Sequence, residues 1–456
     1  METLLNTPYS NSWTDIQHVF ANNVSFRNYE PRIGLAWDVF PDHKTSVRAG
    51  FGIFHDIVIA RNFDYWLQPP FLTGVQTLAQ GAVFPTPFTN VPAGSGAIPT
   101  NGSLSCTNCT YYGQTRTPTT YQYNFNLQRE LFPETILTVG FVGAHANFLE
   151  IQHDWNYAVP FTGTDGNQVF GQLINGNIVL NPRVNPTWNT ISMSNAQASS
   201  HYAALQSGLN KRFSHGVQAQ VSYTFSKSMD DGSGTYGLDG GGSFNNPTNM
   251  RADYGLSNFS RTHNFRVSAV YDIPGHYQNS LVNGLIGGWQ LSTVSAYTSG
   301  APFSVSVGYA RTGTGGYTPR PNFVAGCNRY LPDNQRLLPA NGQVGLQGWY
   351  NPACYSAPPI GEFGNLGRDT LVGPNLWNID SSLSKDTKIR KLGETASLQF
   401  RAEFFNIVNH PSFGAPGASL FNQAANGAFT PNAGVNIITR TTSTPRQVQF
   451  ALKLRF

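Results

Sequence analysis

The chain has 456 residues, of which 11% are charged and 13% aromatic, with 46 Gly, 29 Pro and a net charge of +4. A typical soluble domain carries roughly 25% charged residues, and a disordered chain has few aromatics and more charge, so both classes fit poorly. Basic residues are dispersed rather than gathered into a phosphate-tracking cluster, which excludes nucleic acid as the expected partner.

No apolar run approaches the roughly 20 residues of a transmembrane helix. A membrane reading therefore requires a closed barrel, because lipid cannot satisfy open sheet edges. The first residues, Met1 to Pro8, show no basic n-region and no apolar h-region. Residues 1–28, with Trp13, Phe20 and Phe26 among polar neighbours, read as a loop or one poorly defined strand.

Residues 29–456 repeat one pattern. Ile33, Leu35, Trp37 and Val39 alternate with Arg32, Gly34, Ala36 and Asp38. After a short turn, Val47, Ala49, Phe51 and Ile53 alternate with Arg48, Gly50 and Gly52. Such a period of two marks a strand with one apolar and one polar face. A long Pro/Gly-rich stretch follows, from about 57 to 120. Tyr121, Tyr123, Phe125 and Leu127 then lead through a turn at Phe132–Glu134 into Leu137, Val139 and Phe141. A second long loop covers about 145–200. Ala203, Leu205, Leu209 and Phe213 lead through Ser214–Gly216 into Val217, Ala219, Val221, Tyr223 and Phe225.

A Gly/Asp-rich loop spans about 229–260. Phe265, Val267, Ala269 and Tyr271 return, and after a modest turn Trp289 and Leu291 open a strand reaching about Tyr297. The longest loop, about 299–374, precedes Trp377, Ile379 and Leu383. A turn through Asp386–Glu394 leads to Leu398, Phe400, Ala402 and Phe404. After a last loop, about 409–444, Val448, Phe450, Leu452, Leu454 and Phe456 form the closing strand, the expected membrane-insertion strand.

The count is about eleven strands of about 9–13 residues, joined by connections that alternate short and long. Strands of about ten residues cross the apolar band when tilted. Outer-membrane barrels place short turns on the periplasmic side and long loops outside. A soluble sandwich has short hairpin loops on both sides and no reason to sort lengths by parity. The expected fold is thus all-β, an antiparallel transmembrane β-barrel of about 11–12 strands with long extracellular loops. Tyr121, Tyr223, Tyr271, Trp289 and Trp377 suit interfacial girdles. Bacterial barrels usually have even strand numbers. The odd count and the missing signal make this the expected carboxy-terminal part of a longer gene product.

Several phrases carry a resemblance: Glu30–Asp38 (EPRIGLAWD), Val47–Phe54 (VRAGFGIF), Asn126–Glu130 (NLQRE), Tyr223–Ser228 (YTFSKS) and Arg401–Asn406 (RAEFFN). Over nearly its whole length the chain resembles the carboxy-terminal barrel of Oar-like TonB-dependent receptors of the acidobacterial type. The resemblance implies a 22-stranded outer-membrane barrel, of which this chain supplies about half. It also implies an amino-terminal plug and a regulatory-like domain, neither of which this sequence contains. The implied role is to bind and admit an extracellular ligand, small or oligomeric. The implied partners are outer-membrane lipid, the barrel assembly machinery and, only through a plug segment, the TonB complex. An adhesive surface protein anchored by its barrel is the alternative, and a soluble secreted sandwich the third.

Cys106 and Cys109 form a C-x-x-C, while Cys327 and Cys354 lie far apart. All four fall in expected extracellular loops, where disulfides persist. The expected pairs are 106–109 and 327–354, with zinc and thioredoxin-like redox readings the alternatives. Asp230, Asp231 and Asp239 lack calcium-loop spacing and read as a solvated loop. Ser382-x-x-Lys385 lies in a strand rather than opening a helix, and reads as chance. No H-E-x-x-H, G-x-S-x-G or Walker A occurs, so no enzyme, metal or cofactor is expected. Tyr309, Tyr317, Tyr330, Trp349, Tyr350 and Tyr355 are the candidate ligand contacts, because aromatics beside Asn and Gln can stack on sugars or grip peptides. The alternative is that these rings pack the loop on itself.

Overall fold

The computed structural model describes residues 28–56, 104–110, 116–180, 183–184, 188–233, 245–275, 282, 286–312, 314, 319–340, 344–389, 395–423 and 429–456. The expected loop or weak strand over 1–28 lies, but for Asn28, outside these residues. One antiparallel sheet dominates. Its strands are β1 Arg32–Asp38, β2 Thr45–His55, β3 Thr119–Phe132, β4 Thr135–Asp154, β5 Trp188–Ser214, β6 Val217–Asp230, β7 His263–Asp272, β8 Trp289–Thr298, β9 Leu376–Lys388, β10 Ser397–Phe405 and β11 Gln447–Arg455. They pair in strict chain order, β1 to β11. Two short strands lie off this path: Leu104–Thr110 runs parallel to β5, and Gly255–Leu256 pairs with β6.

The meander follows from the connections. Residues 133–134 and 215–216 are tight turns between strands. His215 and Gly216 both take positive φ, 54° and 76°, as the two central residues of a two-residue hairpin turn require. The other short connections are 39–44, 273–288 and 389–396. The long ones are 56–118, 155–187, 231–262, 299–375 and 406–446, all at the opposite sheet end. Parity sorts every connection by length.

Register continues the apolar stripe across the sheet. Leu35 faces Ala49, then Phe125, Phe141, Leu205 and Phe225. A second row runs Leu127, Val139, Ser207, Tyr223, Phe265, Tyr297 and Trp377. On the other face Arg48, Asn126, Gly140, Gln206, Thr224 and Asn264 share a row.

Among the described residues the apolar stripe is left uncovered: Ile33, Phe125, Phe450 and Leu452 are 73%, 51%, 68% and 67% exposed. A soluble sandwich would bury such residues between two sheets, so the sandwich reading fails. Aromatics edge this face at both ends. Tyr121 stacks near His145, and Trp377 packs on His410, toward the loops. Trp289 meets Phe400 edge-on near the turns, with the Lys385 ammonium 5.6 Å from its ring centre.

β1 and β11 end the sheet without pairing to each other, so the described sheet is an open, partial barrel. β4 and β5 run farther than their alternation suggests, through residues expected to be loop. At about 3.4 Å per residue the 20 residues of β4 extend well beyond the roughly 25 Å apolar band. Past that band the periodic signal fades. Ala146, Ala196 and Ala198 are small, Ile151 and Ala198 are buried together, and bulges break the register at 196–200.

Candidate functional site

The larger buried apolar cluster lies in the loops rather than the sheet. Val305, Tyr350 and Leu371 are fully buried, with Cys354, Tyr355, Leu366 and Leu420 around them. Two connections build this cluster, 299–375 and 406–446. Short ladders tie them, including Leu346–Gln347 against Ile437–Ile438. Asn436 accepts from Tyr350 N at 2.8 Å and donates back to Tyr350 O at 2.6 Å, while the Tyr350 hydroxyl donates to Gly417 O at 2.9 Å.

The loop aromatics proposed as ligand contacts are mostly this core. Tyr350 and Tyr355 are buried, and Tyr309 stacks on Phe429 at 3.8 Å between ring centres. These rings pack the loop on itself, because aromatic surface in a long loop is stabilised by mutual burial. Tyr330 and Trp349 are half-buried, their OH and Nε1 donating to Val372 O. Tyr317 and Asp239 lie outside the described residues. Burial pushes the Tyr355 phenol up to about 12 and Tyr350 higher still. An unfolded phenol ionises near 10. The unfolded chain therefore loses these protons first, and loop stability declines as pH rises from about 10 to about 12. Absorbance titration at alkaline pH is expected to show two phenols that ionise only with loop unfolding. Ionisation of every tyrosine near pH 10 without loss of structure would contradict it.

Cys327 and Cys354 are joined by a disulfide, and Cys354 lies in the core. Cys106 and Cys109 sit on the strand beside β5, where the backbone pairs them with Ile191 and Met193; their side chains lie outside the described set. A bridge spanning 27 residues stabilises by roughly 3–4 kcal/mol on the chain-entropy model. The double variant Cys327→Ser with Cys354→Ser is expected to lose about that much loop stability, read as proteolysis within 299–375.

Two buried arginines lock the 231–262 connection beneath the 299–375 connection. Arg320 reaches Asp253 at 2.6 Å, Leu366 O at 2.8 Å and Ala252 O at 3.0 Å. Arg368 pairs with the Asp230 carboxylate and donates to Asp253 O at 2.7 Å and Ser233 Oγ at 2.9 Å. Asp230 ends β6, so its carboxylate is a buried latch rather than a solvated loop group. Burial raises the neighbouring Asp369 carboxyl against the opposing Ser304 hydrogen bond and Arg368 charge.

Above the latch a cleft opens among residues 165–168, 245–252, 320–322 and 359–367. It comprises hollows of about 570 and 430 Å³ that share Asn246, Asn249, Phe363 and Asn365. Asp165 and Glu362 both accept from Asn167 Nδ2, at 2.7 and 3.1 Å. Asn365 N donates to Asn322 Oδ1 at 3.0 Å, and Phe323 N donates to Asn365 Oδ1 at 2.7 Å. Phe363 is held edge-on to Phe170 at 5.2 Å. The sequence singled out none of these cleft residues. Their one signal is amide richness in segments distant along the chain.

The residues present can bind and orient a ligand. No group of three His, Cys, Asp or Glu suited to a metal ion occurs among the described residues. A sheet with a lipid-facing stripe, a polar inner face and a folded loop layer defines an outer-membrane barrel. A model of the outer membrane beta barrel domain family matches residues 11–449. The chain belongs to that family, whose location is the outer membrane of Gram-negative bacteria.

Similar solved structures include the outer membrane transporter YddB from Escherichia coli, at 11% identity and TM-score 0.46, with 93% of this chain and 40% of that one covered. The siderophore receptor PiuA from Acinetobacter baumannii has 8% identity and TM-score 0.40, with 92% and 35% covered. The ferripyoverdine receptor of Pseudomonas aeruginosa has 8% identity and TM-score 0.36, with 93% and 32% covered. The chain spans less than half the length of each. No curated protein matches the chain.

Proposed function

We propose that this chain is the carboxy-terminal barrel segment of an outer-membrane receptor of the TonB-dependent, Oar-like kind, which binds an extracellular ligand and admits it. The carrying observation is the inversion of burial: the sheet exposes its apolar stripe while the loops are packed. Hydrocarbon covers such a stripe, and a folded loop layer presents a binding surface to the outside. The open edges of β1 and β11 support the partial-barrel reading, because unpaired strand edges are not tolerated in lipid. Further strands of the same polypeptide complete the barrel, and a plug segment couples it to the TonB complex. The polar face, with Arg48, Gln206, Arg266 and Asp380, lines the path.

Two measurements test the reading. Heat-modifiable gel migration is expected for the complete receptor in detergent, and ligand-dependent uptake for the same receptor in liposomes. Migration insensitive to heating would remove the barrel. Binding without flux would leave a barrel-anchored adhesion protein instead.

A further inference from the structure

We infer that the loop cleft is a saccharide site selective for neutral, hydroxyl-rich chains; its role as the entry site rests on the receptor reading above, but the binding does not.

The donors are fixed. Asn322 and Asn365 each commit Oδ1 to a backbone N–H, at 3.0 and 2.7 Å, which sets the orientation of both amides. The Nδ2 groups that remain make no hydrogen bond among the described residues, and both side chains line the cleft. The same hollow is lined by Asp165 and Glu362, whose carboxylates both accept from Asn167. A hydroxyl is donor and acceptor at once, so neighbouring sugar hydroxyls can engage both sets together. Deeper in, Asn245 borders the second hollow with its Oδ1 buried and unpartnered. A buried acceptor left without a donor is costly, and a ligand hydroxyl supplies one.

Charge excludes anions. Among the described residues, Arg320 is the one cationic side chain lining either hollow, and its guanidinium is committed to Asp253, Ala252 O and Leu366 O. The carboxylates therefore leave the cleft negative. Apart from Phe363, Pro359, Ala252 and Leu366, the lining offers few apolar side chains. A peptide seeks pockets for alternate side chains, which the described lining, mostly Asn, Gly and acidic residues, does not supply. The Phe363 ring, braced by Phe170, supplies one flat surface for the apolar face of a pyranose. Both hollows fall within the size of ligand sites, roughly 300–1,000 Å³.

The test is calorimetric titration of the complete receptor in detergent micelles. Probes are the neutral hexasaccharides of β-1,4-glucan, β-1,4-xylan and α-1,4-glucan, with hexagalacturonate and hexalysine as charged counterparts. At least one neutral hexasaccharide is expected to bind, and hexagalacturonate is not. Asn322→Asp and Asn365→Asp keep the loop-fixing acceptor but remove the donor, so each is expected to weaken binding roughly tenfold, the scale of one hydrogen bond. Phe363→Leu, which keeps an apolar contact on Phe170, is expected to weaken it comparably. It serves as the second variant should either Asp substitution lose heat-modifiable migration. Failure of every neutral hexasaccharide to bind, preference for hexagalacturonate or hexalysine, or wild-type affinity in folded variants would overturn the assignment. Saccharide binding without liposome flux would overturn transport and leave the site standing. Flux of another solute without saccharide binding would do the reverse.

Discussion

Arginine placed at both Leu127 and Val221 is expected to destabilise the barrel by roughly 4–8 kcal/mol. Each residue sits in the apolar rows, Leu127 opposite Val47 and Val139, Val221 opposite Leu209 and Val267. Each lies about half a membrane-crossing length from a short turn. A cation at that depth of a barrel costs about 2–4 kcal/mol. The two sites are three strands apart, near 14 Å at the usual strand spacing, so the costs should add. Arginine at Asn126 and Gln220, one residue away on the polar face, is expected to cost little. Urea unfolding in liposomes, followed by tryptophan fluorescence, reads the difference. Equal losses on both faces, or none on either, would mean that hydrocarbon does not cover this side.

The same contrast explains what the sequence reveals. Each strand separates two solvents, so Val217, Ala219, Val221, Tyr223 and Phe225 had to alternate with Gln218, Gln220, Ser222 and Thr224. A period of two is local and survives without homologues. All eleven strands of the meander, and the parity of their connections, were legible this way. The far halves of β4 and β5 were not, because beyond the band both faces meet protein or water.

The loop layer follows different physics. Tyr350 finds Asn436 across 86 residues, and Arg320 finds Asp253 across 67. Pairings of that range leave no periodic mark. Aromatic richness around Tyr350 and Tyr355 was visible, but composition does not say whether a ring faces a ligand or a neighbour. The cleft is assembled from Asn and Gln residues in four separate segments, ordinary loop residues until the chain folds. The aromatics therefore drew the ligand reading, while the amides beside the opening had no sequence signal beyond their abundance.

Arg368→Ala is expected to cost the loop layer about 3–5 kcal/mol, the penalty for stranding a buried charge. The Arg368 side chain is 12% exposed and its partner Asp230 only 7%. Without the guanidinium, Asp230 keeps a hydrogen bond from Ser233 but loses its counter-charge, and Asp253 O and Ser233 lose a donor. The effect should spread, because Arg368 lies between Leu366 and Leu371, both in the loop core. Hydrogen exchange is expected to rise at 301–307 and 350–355, while the strands and heat-modifiable migration stay unchanged. Lysine at 368 should rescue only part of the loss, since an ammonium cannot reproduce the planar fork. Replacing the pair together, Arg368→Met with Asp230→Leu, should recover stability, as apolar substitutes for buried ion pairs often do. That recovery would separate a latch selected for position from one needed for stability. Arg320 belongs to the same lock and also lines the cleft, so loosening it should blur the cleft's geometry and weaken binding there. If Arg368→Ala leaves exchange around Tyr350 untouched, β6 and the loop core are not coupled through this residue. The cleft then owes its shape to Arg320 and the aromatic core alone.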